Sequence, residues 1–575
     1  MMKDFLTLKS NLNKNYSDFP TTRVALLGDS STQFLKQALK AYGYEVNYNF
    51  EIFEADYNQI DLQTLNNHSE LYQFDPDFII VFNSYYKLLK KFYKSNNEEK
   101  QNFSNNYAQH LRVLYNNVNE YSRAKFIFIN FFECNDCVFG NFSNKVDISF
   151  SYQIKKINLS IMDLGRELKD FFICDLDFLQ SYYGYKSTFD SRLYLNNDVI
   201  FNLDFLPVLA SNLSSIILTL KGLIKKCVIL DLDNTLWGGV IGDDGLENIQ
   251  IGDLGIGKAF SELQIWLKQL KERGIILAVC SKNEESIAKE PFEKHPEMIL
   301  TLDDITVFVA NWESKVDNIK FIQRILNLGF DSMVFIDDNP LERDLVKTYL
   351  PQVTVPELPE DPADYLNYLH SQNLFETISF SEEDTKRTQL YKEEAVRKVK
   401  EISFSNYDEF LSNLNMRCKV ESFNKLNASR IAQLTQRSNQ FNLRTIRYTE
   451  EDIIKLSLSS EYLTLSFSLD DNYGSYGLVS VVILKVNNAE LFIDTFIMSC
   501  RVLKRTFENF IFNFICSKAR DNNFETIIGE YIPTNKNILV KDLFKDFGFL
   551  ERDSKWSLNI DSYSNRKTYV AIIDN

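Results

Sequence analysis

The stretch Cys227 to Gly245, CVILDLDNTLWGGVIGDDG, constrains the chain more than any other. An apolar run, Val228-Ile229-Leu230, is followed at once by two carboxylates two residues apart, Asp231 and Asp233, then by Thr235 and a Trp237-Gly238-Gly239 turn. A continuous Val/Ile/Leu run reads as a strand buried on both faces, the kind found in parallel sheets. Open α/β sheets bind ligands at the carboxyl ends of their strands, where these acids fall. Two acids at one tip repel each other unless a proton or cation lies between them, and a hard, oxygen-seeking ion such as Mg2+ suits the pair. Taken alone, the stretch also admits a second reading, a polar turn closing a core strand.

The neighbouring segments decide between these readings. A helical pattern with Phe260, Leu263, Leu267 and Leu270 on one face stops at Gly274. A second apolar run, Ile275 to Cys280, ends in Ser281-Lys282-Asn283. A helical pattern from about Glu313 turns Val316, Ile319, Ile322 and Leu326 inward, with Lys315 in its first turn. A third run, Met333 to Ile336, ends in Asp337-Asp338-Asn339-Pro340, with Asn339 as helix cap and Pro340 at the first helical position. Three strand tips therefore carry acids, a serine and acids again. The order DxDxT, Ser, Lys, DD resembles the four-part signature of the haloacid dehalogenase (HAD) phosphotransferase superfamily across residues 223–358.

That resemblance implies Asp231 as nucleophile and Asp233 as general acid and base, with Thr235, Ser281 and Lys315 holding the phosphoryl oxygens. It also implies Mg2+ held by Asp231, Asp233 through its backbone carbonyl, Asp337 and Asp338. Phosphoryl transfer independently demands an in-line nucleophile and charge neutralisation. The 50 residues from Asp231 to Ser281 hold a glycine-rich flap and one helix, and only 34 separate Ser281 from Lys315. Neither gap holds a large cap domain, so the centre is expected to be lidless and open to large substrates.

At 575 residues the chain is long enough for about three or four domains. Before the central segment, residues 1–222 alternate apolar runs (Val24 to Leu27, Phe78 to Phe82, Phe126 to Ile129) with amphipathic stretches, the pattern of a parallel sheet covered by helices. Gly28-Asp29-Ser30-Ser31-Thr32 resembles the entry block of SGNH-type esterases, whose fold is a flavodoxin-like sandwich. None of the four histidines lies between Asn141 and Leu223, where the base would fall, and without a base a serine hydroxyl is a poor nucleophile. The domain is therefore read as non-hydrolytic.

After the central segment, Pro351 to Pro362 carries four prolines and reads as a linker. Phe380 to Lys400, dense in charge, reads as a solvated helix, so residues 359–403 form a linker-and-helix region. Residues 404–575 read as a mixed α/β domain whose turn from Cys500 to Thr506, placed between a strand and a helix, resembles the pantetheine-pyrophosphate loop of GNAT acyltransferases. That family's loop glycines are Lys504 and Thr506 here, which argues against ordinary acetyl-CoA use. Cys500, beside Arg501, Lys504 and Arg505, is the candidate acyl-accepting thiol, weighed against an inert buried cysteine, and Cys280 competes with it. The polar clusters Asn439 to Asn442 and Glu530 to Asn537 either line an acyl groove or cap loops.

An SGNH-like domain, a capless HAD domain with DLDNTLWGGVIGDDG, SKN, NWESK and IDDNPLER, and a GNAT-like tail with QRSNQFNL and SCRVLKRTFE together resemble the FkbH-like family, HAD subfamily IIIC. The resemblance implies a bifunctional glyceryl transferase and phosphatase that loads a three-carbon unit from a phosphorylated donor, such as 1,3-bisphosphoglycerate, onto an acyl carrier protein. A stand-alone phosphatase on a sugar or acyl phosphate and a non-catalytic interaction scaffold are the alternatives. The net charge of -16 argues against nucleic acid or an anionic membrane as partner. No signal-peptide pattern opens the sequence, and the best apolar run, Ile216 to Leu232, is broken by Lys221, Lys225 and Lys226. The eight cysteines, with Cys134 and Cys137 as an isolated CxxC, form no disulfide or zinc framework, and a cytoplasmic setting is expected.

Overall fold

The computed structural model describes residues 3–380, 389–394, 397–398, 404, 406–552 and 555–573. The chain divides into two compact units, Met1–Leu218 and Thr219–Asn575. In the first, strands β1 (Thr21–Gly28), β2 (Asn49–Glu54), β3 (Phe78–Phe82), β4 (Lys125–Ile129) and β5 (Phe171–Cys174) form one sheet in the order β2-β1-β3-β4-β5. All its pairings are parallel. This is the flavodoxin-like order, with its switch point between β1 and β3.

One expectation about this unit is corrected. The segment Leu203–Leu220 is long and apolar enough to cross a membrane by length and composition, whereas the sequence pattern was anchored on the lysine-broken run further on. The helix Leu206–Leu220 lies largely in the core instead, with Leu209, Leu213 and Ile217 fully buried and the Ser211 hydroxyl bonded to that of Tyr42.

The second unit contains two sheets. In the first of them, β6 (Cys227–Leu230), β7 (Ile276–Ser281), β8 (Ile305–Ala310) and β9 (Met333–Ile336) run parallel in the order β8-β7-β6-β9. Alternate residues serve opposite faces. Val228, Leu230, Leu277 and Val279 pack with Phe260, Leu263 and Leu267, while Ile229, Ala278 and Cys280 pack with Ile319, Ile322 and Leu326. Helices cover both faces, which is why these strands are apolar without interruption.

The proline-rich stretch is not a linker. Val353, Val355 and Leu358 are buried, and Thr354 pairs in parallel with Val334 along the outer edge of β9. Prolines forbid a helix there but tolerate an extended edge segment, and alternating apolar side chains anchor it. The helix Tyr365–Ser371 then places Tyr365 and Leu369 in the same core as Phe260, and that core continues to Phe375, beyond the expected boundary at 358.

The third sheet contains β10 (Met416–Glu421), β11 (Phe441–Asn442), β12 (Tyr462–Asp471), β13 (Gly474–Asn487), β14 (Glu490–Met498), β15 (Thr526–Gly529), β16 (Leu550–Arg552), β17 (Lys555–Asn559) and β18 (Val570–Ile572). Their order is β16-β17-β15-β14-β13-β12-β10-β18, with β11 paired to β14. β14 and β15 are parallel but joined only from Glu490 to Phe492, and the far end of β14 is met by β11 instead. Of the helix expected between Phe380 and Lys400, residues 381–388, 395–396 and 399–400 lie outside the described residues. The described part is not solvated: Tyr391, Glu394 and Arg397 are buried.

Candidate active site

Strand order brings the expected acids together. Asp231 directly follows β6, Ser281 ends β7 and Asp337 directly follows β9, so all three sit at the carboxyl end of adjoining strands. Lys315, first residue of the helix Lys315–Leu326, reaches back to place its Nζ 2.8 Å from Asp231 Oδ1 and 2.6 Å from Asp337 Oδ2. Carboxylate oxygens of Asp231, Asp337 and Asp338 lie within 4.8 Å of one another. Three hard oxygen donors around one point fit a divalent cation of the Mg2+ type.

Burial sets the electrostatics. Asp231 is 6% exposed, Lys315 4% and Asp337 0%. Desolvation and the neighbouring charge of Asp231 push the Asp337 carboxyl up to about 6, against the pull of Lys315. Burial alone would lower the Lys315 ammonium, but Asp231 and Asp337 outweigh it and hold it above the usual lysine value. Among the described residues no cap domain covers this centre. The segment after Trp237 folds into the core, with Trp237, Ile241, Ile249 and Ile251 buried and Gly238 paired to Gln250. The centre is thus lidless yet recessed.

Asp233 is half-buried and held apart from the carboxylate cluster. Its Oδ1 accepts from Trp237 Nε1 at 2.9 Å and from the Ile241 amide at 3.0 Å, and its Oδ2 accepts from Asn283 Nδ2 at 2.7 Å. Burial, the largest cause, raises its carboxyl above the usual range despite those donors. A carboxyl raised by burial beside a nucleophile suits a general acid. Its side chain is not one of the three clustered ligands, which leaves its backbone carbonyl as the only ligand it could offer.

Thr235, expected to hold a phosphoryl oxygen, is fully buried; its hydroxyl donates to Asp338 Oδ1 at 3.3 Å and accepts from the Asp338 amide at 3.1 Å, which braces the aspartate tip. Two further residues were not assigned roles from sequence. Asn283 orients Asp233, and buried Arg343 donates through Nη1 to the carbonyls of Asp337 at 2.8 Å and Asp338 at 2.6 Å. The spacing of Arg343 six residues after Asp337, on the helix Pro340–Tyr349, was the available signal.

Cys500 is not brought to this centre. It lines a cavity of about 460 Å3 whose wall includes Gly222, Ile224 and Lys226, just before β6, and Asn327 to Gly329, Asp331 and Ser332, just before β9. Those are the amino ends of the strands whose carboxyl ends carry Asp231 and Asp337. Five residues separate Lys226 from Asp231, roughly 16 Å of extended chain. The Cys500 thiol lies 3.8 Å from the Tyr391 hydroxyl, and its carbonyl accepts from Asn327 Nδ2. Of its three neighbouring cations only Arg501 shares the cavity, since Lys504 is exposed and Arg505 is buried against Glu394 at 2.8 Å. Cys280 is fully buried, and burial raises its thiol far above the usual value, which removes it as a competing nucleophile.

The loop after β14 keeps the backbone of a glycine loop without glycines. Lys504 and Thr506 have φ of +63° and +56°, which L-residues, β-branched ones above all, rarely adopt. The Thr506 hydroxyl accepts from the Tyr569 amide, and the first turn of the helix Phe507–Asp521 carries the acidic Glu508, whose carboxyl burial raises above its usual range. Asn442 and Asn537 are buried, and Asn537 Nδ2 donates to the Asn442 carbonyl at 2.9 Å, which ties the two polar clusters together, while Asn439, Gln440, Asn535 and Lys536 of the same clusters line the cavity beside Cys500. In the first unit, buried Ser30 donates to Asp29 Oδ1 at 2.9 Å, and the same oxygen accepts from the Ser84 amide at 2.8 Å. Burial raises the Asp29 carboxyl despite these donors.

The model of the FkbH N-terminal domain matches residues 23–218. The N-terminal part of the protein BF1531 from Bacteroides fragilis, containing a phosphatase domain and crystallised with Mg, shares 51% identity with a TM-score of 0.64, covering 66% of this chain and 100% of that one. A ribosomal-protein-S18-alanine N-acetyltransferase from Escherichia coli overlaps at 14% identity and a TM-score of 0.21, covering 25% of this chain and 94% of that one. A spermidine N-acetyltransferase variant from Vibrio cholerae does so at 14% and 0.21, covering 26% and 96%. No curated protein matches this chain.

Proposed function

Because the chain belongs to the FkbH-like family and carries its phosphatase domain, we propose that it removes phosphate from a phosphorylated small-molecule donor at Asp231 and transfers the donor's acyl group, a glyceryl unit, to the pantetheine thiol of an acyl carrier protein. The observation that carries the phosphoryl half is the meeting of Asp231, Lys315, Asp337 and Asp338 at adjoining strand tips. Mg2+, present in the similar phosphatase-domain structure, would be held by Asp231, Asp337 and Asp338 and would supply charge neutralisation for the phosphoryl oxygens.

Asp231 attacks phosphorus, the bond to the leaving oxygen breaks, and Asp233 gives that oxygen a proton. Water then attacks the aspartyl-phosphate while Asp233 takes back a proton, and inorganic phosphate leaves. Lys315 pairs with Asp231 and steadies the phosphoryl oxygens together with Ser281. The phosphate taken at Asp231 is the ester on the donor's hydroxyl, which leaves the acyl phosphate intact for the acyl half. There the Cys500 thiol attacks the acyl-phosphate carbonyl, the C–S bond forms, the carbonyl–oxygen bond breaks, and phosphate departs with the thiol proton. The carrier thiolate then displaces Cys500 from the thioester. The proposed setting is the cytoplasm, where thiols stay reduced.

The test is incubation with Mg2+ and 1,3-bisphosphoglycerate, with and without carrier protein, followed by intact mass. An acyl adduct that maps to Cys500 and moves to the carrier supports the proposal, and an adduct on another residue refutes the thiol assignment. The placement of Cys500 at the far end of the sheet from Asp231 favours one second reading, a phosphatase acting alone on a sugar or acyl phosphate. Phosphate release without any adduct would select it.

A further inference from the structure

We propose that the cavity beside Cys500 is a binding site for a small phosphate-bearing molecule, separate from the Asp231 centre. Its wall carries Lys226, Arg430, Arg437, Arg501 and Lys536 against a single carboxylate, Asp331, in a chain whose net charge is -16. Such a concentration of one sign, against the sign of the whole protein, favours an anion. Arg501 makes the case specific. It is 6% exposed, its Nε donates to the Ser499 hydroxyl at 3.3 Å, and its Nη1 is buried with no hydrogen-bond partner among the described residues. A buried guanidinium N–H without an acceptor is costly, and an oxyanion supplies what is missing. The cavity, about 460 Å3, is within the usual range for small-molecule sites.

Cys500 shares this wall, so a phosphate-bearing group held here lies in the same enclosure as the thiol. In the loop after β14, Arg505 is already engaged by Glu394 and Lys504 is exposed, so neither adds a cation to this cavity. The site rests on the transfer proposal only for the purpose of the thiol, and anion binding is measurable without it.

The experiment follows alkylation of Cys500 in the full chain by neutral iodoacetamide, read by peptide mass so that the other cysteines are resolved. Inorganic phosphate, compared with chloride at equal ionic strength, slows Cys500 alkylation by about tenfold once it exceeds its dissociation constant roughly ninefold, because only unliganded protein reacts. Arg501→Gln abolishes the protection and Asp231→Asn retains it. Should Arg501→Gln fail to fold by circular dichroism, Arg430→Gln and Lys536→Gln each weaken the protection. Equal rates in phosphate and chloride overturn the proposal, as does protection that Asp231→Asn removes and the cavity variants leave intact. Failure to form an acyl adduct while phosphate still protects Cys500 would reject the transfer proposal and leave the anion site standing.

Discussion

At the carboxyl ends of β6 and β9 three carboxylates face the one ammonium of Lys315, whereas the cavity at the amino ends of the same strands sets five cations against the carboxylate of Asp331. The first arrangement lacks positive charge and suits a metal ion; the second lacks negative charge and suits a phosphate. The sheet keeps them from cancelling. Two unit charges roughly 16 Å apart interact by only about 1 kcal/mol at an effective dielectric of 20, so each end retains its appetite for a ligand. A chain reading alone, in which both sets appear as scattered Asp, Lys and Arg, does not reveal this division of labour.

The sharpest way to break the comparison is Asp231→Asn. Mg2+-dependent phosphate release should fall by about 10,000-fold in kcat/KM, roughly 5 kcal/mol, while phosphate protection of Cys500 persists. Joint loss would merge the two ends into one site. Chelation comes next: EDTA should cost the phosphatase about 1,000-fold, reversed by added Mg2+, without altering the alkylation rate of Cys500. Arg343→Ala should lower unfolding stability by about 2 to 3 kcal/mol in urea titrations, because it frees two buried carbonyls at the Asp337-Asp338 tip. Lysine at 343 should not restore that loss, since it lacks the guanidinium fork. The smallest effect belongs to the loop after β14, where Lys504→Gly should stabilise the chain by about 0.5 to 1 kcal/mol by relieving the +63° φ. Thr506→Gly should gain less, as it surrenders the acceptor for the Tyr569 amide.

The phosphoryl centre was legible because its chemistry coincides with its architecture. Buried parallel strands announce themselves as apolar runs, and Asp231, Ser281 and Asp337 stand where those runs stop. For Thr235 a motif position names a residue but not the direction of its hydroxyl, which here turns to Asp338. Arg343 and Asn283 went unassigned because their work is done on backbone carbonyls and on a carboxylate 50 positions away. The position of Cys500 was hidden for a similar reason. Its neighbours in sequence are Arg501, Lys504 and Arg505, but two of these turn elsewhere, and the cations that matter come from segments as distant as Lys226 and Lys536. The described part of the helix expected to be solvated was misread because its charges pair internally: Arg397 forks onto Asp471 at 2.8 and 2.9 Å, and Glu394 meets Arg505.

The proline-bearing strap across β9 has a consequence for how copies of this protein meet. β9 is the outermost strand of its sheet, and a bare outermost strand is a template on which a second chain can lay down its own. Thr354 takes that place by giving its amide to Met333 and accepting from Phe335, and the prolines at 351 and 356 bring no donors of their own to continue the ladder outward. What reads in sequence as a gap between domains thus works as a selvedge, a finished edge that stops the weave from being extended by a neighbour.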